Sequence, residues 1–181
     1  STGKPVIMST GASTLSDISE SVAVLRENGC KDLVLLKCTS TYPASAENTN
    51  LKSIPYLAEI FDCNAGLSDH TRGIGAALAS VSLGATVIEK HFTLSRKDGG
   101  VDSDFSIEPH ELKSLVEESE RAWKAVGQVK FDVLKAEKAS LQFKRSLYVV
   151  KDIKEGEKFT SENLRVIRPG DGLAPKYYEK I

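Results

Sequence analysis

The stretch Leu33-Val-Leu-Leu-Lys-Cys38 is a short and almost unbroken apolar run, which is typical of a strand buried on both faces of a sheet. Three further runs of this kind occur in the first 127 residues, and a segment with apolar residues at helical spacing follows each run. These runs are Pro5–Gly11, Ala65–His70 and Ala85–Phe92. Four strand–helix units in succession predict an α/β fold in which parallel strands are covered by helices.

Local signals mark where the helices begin and end. Thr14 followed by Asp17 predicts a capped helix start, and Gly29 lies where that helix would stop. Pro109 opens the last helix, at a position where its missing N–H is harmless. The apolar stripe predicted for that helix consists of Leu112, Leu115, Val116, Trp123 and Val126. Each strand is therefore predicted to lead into an amphipathic helix.

The number of units limits the possible architectures. A closed eight-unit barrel needs about 250 residues, so four units predict half of one. A doubly wound open sheet is the physical alternative, although no Gly-x-Gly-x-x-Gly sequence opens a helix here. Residues 128–145 are rich in charge and predict a linker. Residues 146–181 are strand-like and turn-rich but too few for an independent core, so they predict the beginning of a second domain.

Bulk composition excludes several classes of partner. The formal net charge is −1, with 24 basic residues interspersed among 25 acidic ones, which argues against a nucleic-acid or anionic-membrane partner. No apolar run approaches the roughly 20 residues of a membrane span. Cys30, Cys38 and Cys63 are odd in number and lack metal-binding spacing, so a reducing cytoplasm fits best.

Two histidines fall at equivalent places, at the ends of the third and fourth predicted strands. Alternation along a strand puts Ser68 on the same face as His70, and Glu89 on the same face as His91. Neighbouring strands lie about 4.8 Å apart, so the two imidazoles can grip one divalent ion such as Mn²⁺, Co²⁺ or Zn²⁺. The alternative is two unrelated histidines, one capping a loop and one packed. His110, in the last helix, is predicted to be a surface residue.

Hydroxyl side chains follow the first two strands. Ser9-Thr10-Gly11 and Cys38-Thr39-Ser40-Thr41 can form a phosphate cradle, although Ser and Thr at strand ends are also common helix caps. Tyr42-Pro43 and the loop Asp98–Asp102 can shape a substrate pocket. The alternative is that this glycine-rich loop is only a structural turn, as most such loops are.

Two segments carry a resemblance to a known family. Gly66-Leu-Ser-Asp-His-Thr71 and Ile88-Glu-Lys-His-Phe-Thr93 resemble the signature of the N-acetylneuraminate (sialic acid) synthase family. The stretch Asp98–Ser106 further resembles the pseudaminic acid synthase branch. Supporting stretches are Pro5–Gly11, Cys38–Pro43, Ser82–Val87, Arg145–Tyr148 and Arg168–Gly170. The similarity extends over essentially the whole chain in the family's order.

The resemblance implies an architecture. Residues 1–127 would be strands five to eight of a (β/α)₈ TIM barrel, residues 128–145 a linker, and residues 146–181 a truncated antifreeze-like (SAF) domain. The family forms swapped homodimers, and the implied location is cytoplasmic. Because the first four strands of the barrel are absent from this sequence, we expect the 181-residue chain alone to be inactive.

The resemblance also implies a reaction. Phosphoenolpyruvate would condense with an N-acetylated amino sugar to give a nonulosonic acid, pseudaminic or N-acetylneuraminic acid, and phosphate. In that reaction C3 of phosphoenolpyruvate attacks the aldehyde of the open-chain sugar, water adds at C2, and phosphate leaves. A metal-dependent aldolase, a sugar-acid phosphate synthase and a non-catalytic half-barrel are the alternatives.

Roles for individual residues follow from the same resemblance. His70 and His91 would be the catalytic metal ligands, with Mn²⁺ favoured over Mg²⁺ or Co²⁺. Ser9, Ser40 and Ser68 would face phosphoenolpyruvate, and Tyr42 and Asp102 the amino sugar. From strand alternation we add the hypothesis that Glu89 orients a ligand histidine or a water on the ion.

Overall fold

The computed structural model describes residues 3–181, which form two compact units. The first unit ends at Gln128, and the second runs from Val129 to Ile181. Within residues 3–181, no helix is long and apolar enough to cross a membrane.

The first unit is a parallel four-stranded sheet with a helix after each strand. The strands are β1 (Val6–Ser9), β2 (Leu33–Cys38), β3 (Asn64–Asp69) and β4 (Ile88–Lys90). The helices are α1 (Leu15–Glu27), α2 (Ser53–Phe61), α3 (Gly75–Ser82) and α4 (Pro109–Val126). The strand order is β1-β2-β3-β4 and every pairing is parallel. The predicted α/β class and its parallel strands are therefore confirmed.

One predicted strand is shorter in the structure than the sequence suggested. Residues 85–92 predicted a strand, but regular β4 covers only Ile88–Lys90. Thr86 and Val87 still bond to β3 through the Ala65 carbonyl and the Leu67 amide, outside the regular ladder. At the other end Phe92 turns away from β3 and forms a bridge with Ile107. The apolar residues predicted the location of β4 correctly, whereas its length depends on which backbone groups pair with β3.

Helix starts follow the local signals closely. The hydroxyl of Thr14 accepts from the Asp17 amide, while the Asp17 carboxylate accepts from the Thr14 amide at 2.7 Å. Both bonds satisfy donors that an uncapped helix would leave unpaired. Pro109 is the first residue of α4, as predicted.

The main core lies between the sheet and helices α1 and α2. It contains alternate residues of β2 and β3 together with apolar residues of both helices: Ile18, Val22, Leu33, Leu35, Ile54, Leu57, Phe61, Ala65 and Leu67. Because side chains alternate along a strand, residues next to these in sequence face the opposite side of the sheet. Ser68 and His70 therefore point away from the helices.

The apolar stripe of α4 is only partly covered. Leu115 packs with Ala77 and Ile107 in a second core cluster. The other predicted stripe residues are exposed, and three of them line an apolar groove beside β4: Leu112, Val116 and Trp123. Periodicity identified the apolar face, but it does not say what covers that face.

The second unit is built around an antiparallel pair of strands. These are β5 (Ser146–Val149) and β6 (Leu164–Ile167). Two 3₁₀ helices, Lys135–Phe143 and Pro175–Lys180, flank them in sequence. The first of these occupies half of the segment predicted as a linker, residues 128–145. It is tied to the unit because the Gly170 amide donates to the carbonyl of Gln142 at 3.1 Å.

Candidate active site

The two histidines lie together at the carboxyl ends of β3 and β4. In the ladder Ser68 pairs with Glu89, and His70 and His91 follow the last regular pair. Their ring centroids are 5.1 Å apart. His70 is 6% exposed, whereas the side chain of His91 is 32% exposed. The structure thus brings together the pair that the sequence analysis singled out.

The orientation of His70 is defined by a backbone carbonyl. Its Nδ1 lies 2.9 Å from the oxygen of Thr39. A carbonyl can only accept, so Nδ1 is the donor in this contact, and in the neutral imidazole Nε2 is then the nitrogen with the free lone pair. The buried thiol of Cys38 lies 3.9 Å from the same nitrogen. Sequence reasoning missed both contacts, since they join residues more than 30 positions apart.

His91 has a carboxylate beside it. Its Nδ1 lies 3.6 Å from Asp102 Oδ2, which is longer than a hydrogen bond. The ring of Phe105 lies 5.0 Å from that of His91. Asp102, predicted to face a sugar, therefore also borders a predicted metal ligand.

The donor set fits a divalent cation. Ligand nitrogens lie about 2.0–2.1 Å from a bound zinc ion, so two imidazoles on one ion have centroids roughly 5 Å apart. The ring centroids of His70 and His91 are 5.1 Å apart, which is compatible with this value and is also an ordinary distance for two packed aromatic rings. Histidines that bind metals are usually oriented by a hydrogen bond to their other nitrogen, and Thr39 makes such a bond to Nδ1 of His70.

Glu89 and Ser68 are joined directly. The Ser68 hydroxyl donates to Glu89 Oε1 at 2.7 Å, and Ser68 is buried while Glu89 is exposed. Both lie on the histidine-bearing face, as alternation predicted. A hydroxyl has one proton, so Ser68 retains only acceptor capacity for any further ligand in this arrangement.

Ser9 and Ser40 lie at the ends of the two preceding strands. Both are exposed. Ser40 stands so close to Gly11 that a β-carbon there would lie 2.1 Å from the serine hydroxyl. The Thr10 hydroxyl, in contrast, is used within the sheet, because it donates to the carbonyl of Leu36 at 2.9 Å. The two predicted hydroxyl segments therefore meet, with Ser9 and Ser40 available at the surface.

An aromatic cluster surrounds the histidines. Tyr42 lies 4.2 Å from His70 and 5.8 Å from His91, measured between ring centroids. Phe105 lies 6.2 Å from Tyr42 and is buried. Sequence reasoning did not select Phe105, although one aromatic residue inside the polar stretch Asp102–Ser106 was a usable signal.

The loop that carries Asp102 and Phe105 is held by an arginine from the β3–α3 connection. Arg72 forms an ion pair with Asp104 and donates to its carbonyl at 3.1 Å. The hydrogen bond from Arg72 lowers the pKa of the Asp104 carboxyl. This contact fixes the loop next to His91.

A second arginine anchors the loop to the start of α4. Arg96 donates to the carbonyl of Ser106 at 2.9 Å and to Glu111 at 2.5 Å. That bond to Glu111 is the main reason why the pKa of the Glu111 carboxyl is lowered. Arg96 also lies 3.6 Å from Glu108.

These carboxylates belong to another cluster of possible metal donors. Ligand atoms of Glu108, His110 and Glu111 lie within 4.8 Å of one another. Glu111 is already engaged by Arg96 and by the Glu108 amide at 2.9 Å, and the His110 side chain is 73% exposed. The hydrogen bonds and ion pair at the start of α4 therefore explain why these three side chains lie close together.

Comparison with known proteins identifies the family. The model described as the NeuB family matches residues 1–131, and the SAF domain model matches residues 144–181. The chain belongs to the NeuB family. The resemblance inferred from the two histidine segments is thereby confirmed.

Named relatives of this NeuB-family chain make related sugar acids. It is 44% identical over 178 residues to a pseudaminic acid synthase of Campylobacter jejuni, covering 98% of this chain and 52% of that protein. It is 43% identical over 181 residues to an N,N'-diacetyllegionaminic acid synthase of the same species, covering 98% and 54%. The chain spans about half the length of the curated relatives it matches.

Solved structures show the same similarity. An N-acetylneuraminic acid synthetase from Leptospira borgpetersenii matches with a TM-score of 0.70 and 35% identity, over 78% of this chain and 49% of that one. A spore coat polysaccharide biosynthesis protein, spsE, from Bacillus subtilis matches with a TM-score of 0.66 and 31% identity. The match covers 98% of this chain and 55% of that one. The four-stranded parallel sheet resembles half of the barrel sheet of such synthases.

Proposed function

We propose that this chain forms part of the active site of a nonulosonic acid synthase, which condenses phosphoenolpyruvate with an N-acetylated amino sugar and releases phosphate. The pairing of His70 and His91 at neighbouring strand ends carries the proposal. Relatives named as pseudaminic and legionaminic acid synthases support the product class.

His70 and His91 would hold a divalent cation, with Mn²⁺ the preferred ion and Mg²⁺ or Co²⁺ as alternatives. When bound, such an ion supplies Lewis-acid polarisation of a carbonyl oxygen. The carbonyl of Thr39 accepts from Nδ1 of His70, so Nε2 would be the nitrogen that holds the ion. Asp102 Oδ2 lies 3.6 Å from Nδ1 of His91, beyond hydrogen-bond distance.

The remaining site residues would bind the two substrates. Ser9 and Ser40 present exposed hydroxyls to the phosphate of phosphoenolpyruvate, and Ser68 adds an acceptor oxygen beside Glu89. Tyr42 offers a half-exposed ring next to His70 for the sugar, and Asp102 offers a carboxylate beside His91. Holding both substrates in attack geometry can lower the barrier by roughly 7–11 kcal/mol.

The proposal extends to the assembly. The four strands would correspond to strands five to eight of a (β/α)₈ barrel, and the second unit to a truncated SAF domain. The complete enzyme would be a cytoplasmic homodimer. Because four strands would form only half of a closed barrel, we expect the 181-residue chain by itself to release no phosphate from phosphoenolpyruvate with any N-acetylated hexosamine. Measurable sugar-acid synthesis by the purified chain would contradict this expectation.

Titration with Mn²⁺ by calorimetry tests the metal site directly. We expect the chain to bind one ion, and His70→Ala and His91→Ala each to abolish binding. His110→Ala is the matched control, because this third histidine is exposed on α4 and should leave the affinity unchanged. Absence of binding by the wild-type chain, or its persistence in either strand-end variant, would contradict the proposed site.

A further inference from the structure

A buried ion pair links the two strands directly before the histidines. Lys90 Nζ lies 2.8 Å from Asp69 Oδ2, and the side chains are 3% and 0% exposed. Lys90 also donates to the carbonyl of Thr71 at 2.6 Å, and Asp69 Oδ1 accepts from the Thr71 amide at 2.8 Å. Both charges are therefore fully engaged across the β3–β4 boundary.

The position of this pair in the ladder is informative. Asp69 and Lys90 are directly opposite each other and form the last regular pair between β3 and β4. Beyond them the two chains separate: the His70 carbonyl accepts from Ala44, and the His91 carbonyl accepts from Ile107, each at 2.9 Å. The ion pair thus joins the last regular pair of the ladder, directly before the two histidines.

Stability alone does not explain two buried charges at this point. Removing a lysine and an aspartate from water is costly, and replacing a buried ion pair by neutral groups of similar volume is often neutral or stabilising. An ion pair with three directional bonds does restrict the spacing of the chains it joins. Such a restriction matters here because the separation of His70 and His91 decides whether one ion can contact both.

We propose that Asp69 and Lys90 are a positioning pair, which holds His70 and His91 at the separation that a divalent cation requires. The inference rests on the metal site of the proposed function and extends it to two residues on the opposite face of the sheet. Neither residue contacts the ion; they act by fixing the strand ends.

Two variants separate positioning from stability. Lys90→Met keeps most of the side-chain volume but leaves the Asp69 carboxylate buried without its cation. The double variant Asp69→Asn, Lys90→Met removes both charges while the new amide oxygen can still accept from Thr71. We expect the single variant to lose thermal stability and at least about tenfold in Mn²⁺ affinity, as for other residues that orient ligands.

The double variant should regain most of the thermal stability but keep the weakened Mn²⁺ affinity. Leu57→Ala is the control for stability, because it removes a core side chain that takes no part in the bonds of the pair. It should lower the melting temperature without changing the affinity. Recovery of both properties in the double variant would overturn the inference, since the pair would then be structural only.

A second measurement does not need the metal. The ¹⁵N imidazole signals of His70 and His91 in the metal-free chain should shift in the double variant, while that of His110 stays unchanged. Unchanged strand-end signals would overturn the positioning role. If the wild-type chain binds no Mn²⁺ but these signals do shift, the proposed metal site fails and the positioning role stands.

Discussion

Ser68 and Glu89, which face each other across the β3–β4 ladder, are joined by a 2.7 Å hydrogen bond on the face that carries both histidines. Ser68 is buried and donates its only proton to a carboxylate that is open to solvent. The two residues therefore act as a unit. Their roles should be separable only by variants that change one property at a time.

Glu89→Ala is expected to weaken Mn²⁺ binding by about tenfold, because a carboxylate on the same face of the sheet as the two proposed ligand histidines is lost. Glu89→Gln retains an acceptor for Ser68 but no charge, so an equal loss would identify the charge as the cause. Ser68→Ala is the matched control, since it removes the hydroxyl and leaves the charge. Calorimetry provides the measurement, and an unchanged affinity in Glu89→Ala would show that Glu89 has no bearing on the ion.

Gly66→Ala is expected to destabilise the first unit by about 2 kcal/mol, a typical cost of overpacking. A β-carbon at Gly66 would lie 2.2 Å from the carbonyl oxygen of Val87 and 2.9 Å from Leu36. Backbone cannot move aside as a flexible side chain can. The free energy of unfolding in urea checks this expectation.

Gly75→Ala provides the comparison for Gly66→Ala. Gly75 opens α3, and no neighbouring heavy atom lies within 4 Å of the position that a β-carbon would take there. This substitution should be neutral or stabilising by up to about 1 kcal/mol, because alanine restricts the unfolded chain. Equal stability of the two variants would rule out close packing as the cause.

Acid should loosen the loop beside His91 through Glu111. The hydrogen bond from Arg96 lowers the pKa of Glu111 below its ordinary value of 4.5. A carboxyl whose pKa is lower in the folded state stabilises that state above the unfolded pKa, and the contribution is lost as the pH falls through the folded pKa. The stabilising contribution of Glu111 should therefore begin to decline below about pH 4.5, and the melting temperature of the wild-type chain should fall with it.

Glu111→Gln should remove this pH-dependent stabilisation, while the new amide preserves the capping arrangement at the start of α4. Its cost at neutral pH should stay within about 1 kcal/mol, as for partly exposed ion pairs. Melting temperatures between pH 7 and pH 3 supply the test. Glu118→Gln, in an exposed pair with Arg121 on the same helix, is the control. The same acid dependence in wild type and Glu111→Gln would contradict the prediction.

Local patterns account for the parts of the fold that sequence predicted well. Thr14 and Asp17 are three residues apart, so the helix start that they form is decided within one turn. Alternation along β3 and β4 likewise put Ser68, His70, Glu89 and His91 on one face. Local patterns could not predict the length of β4 or which residues pack against α4, because both depend on neighbours that are distant in sequence.

By itself, the sequence determined the succession of strand–helix units, the family, and the location of two histidines at equivalent strand ends. Only the tertiary structure decided which distant groups define the site. Thr39 meets His70 across 31 positions and Asp69 meets Lys90 across 21. The physical reason is range: capping and alternation are set by neighbours along the chain, whereas these contacts depend on the register of separate strands and on the path of the loops between them.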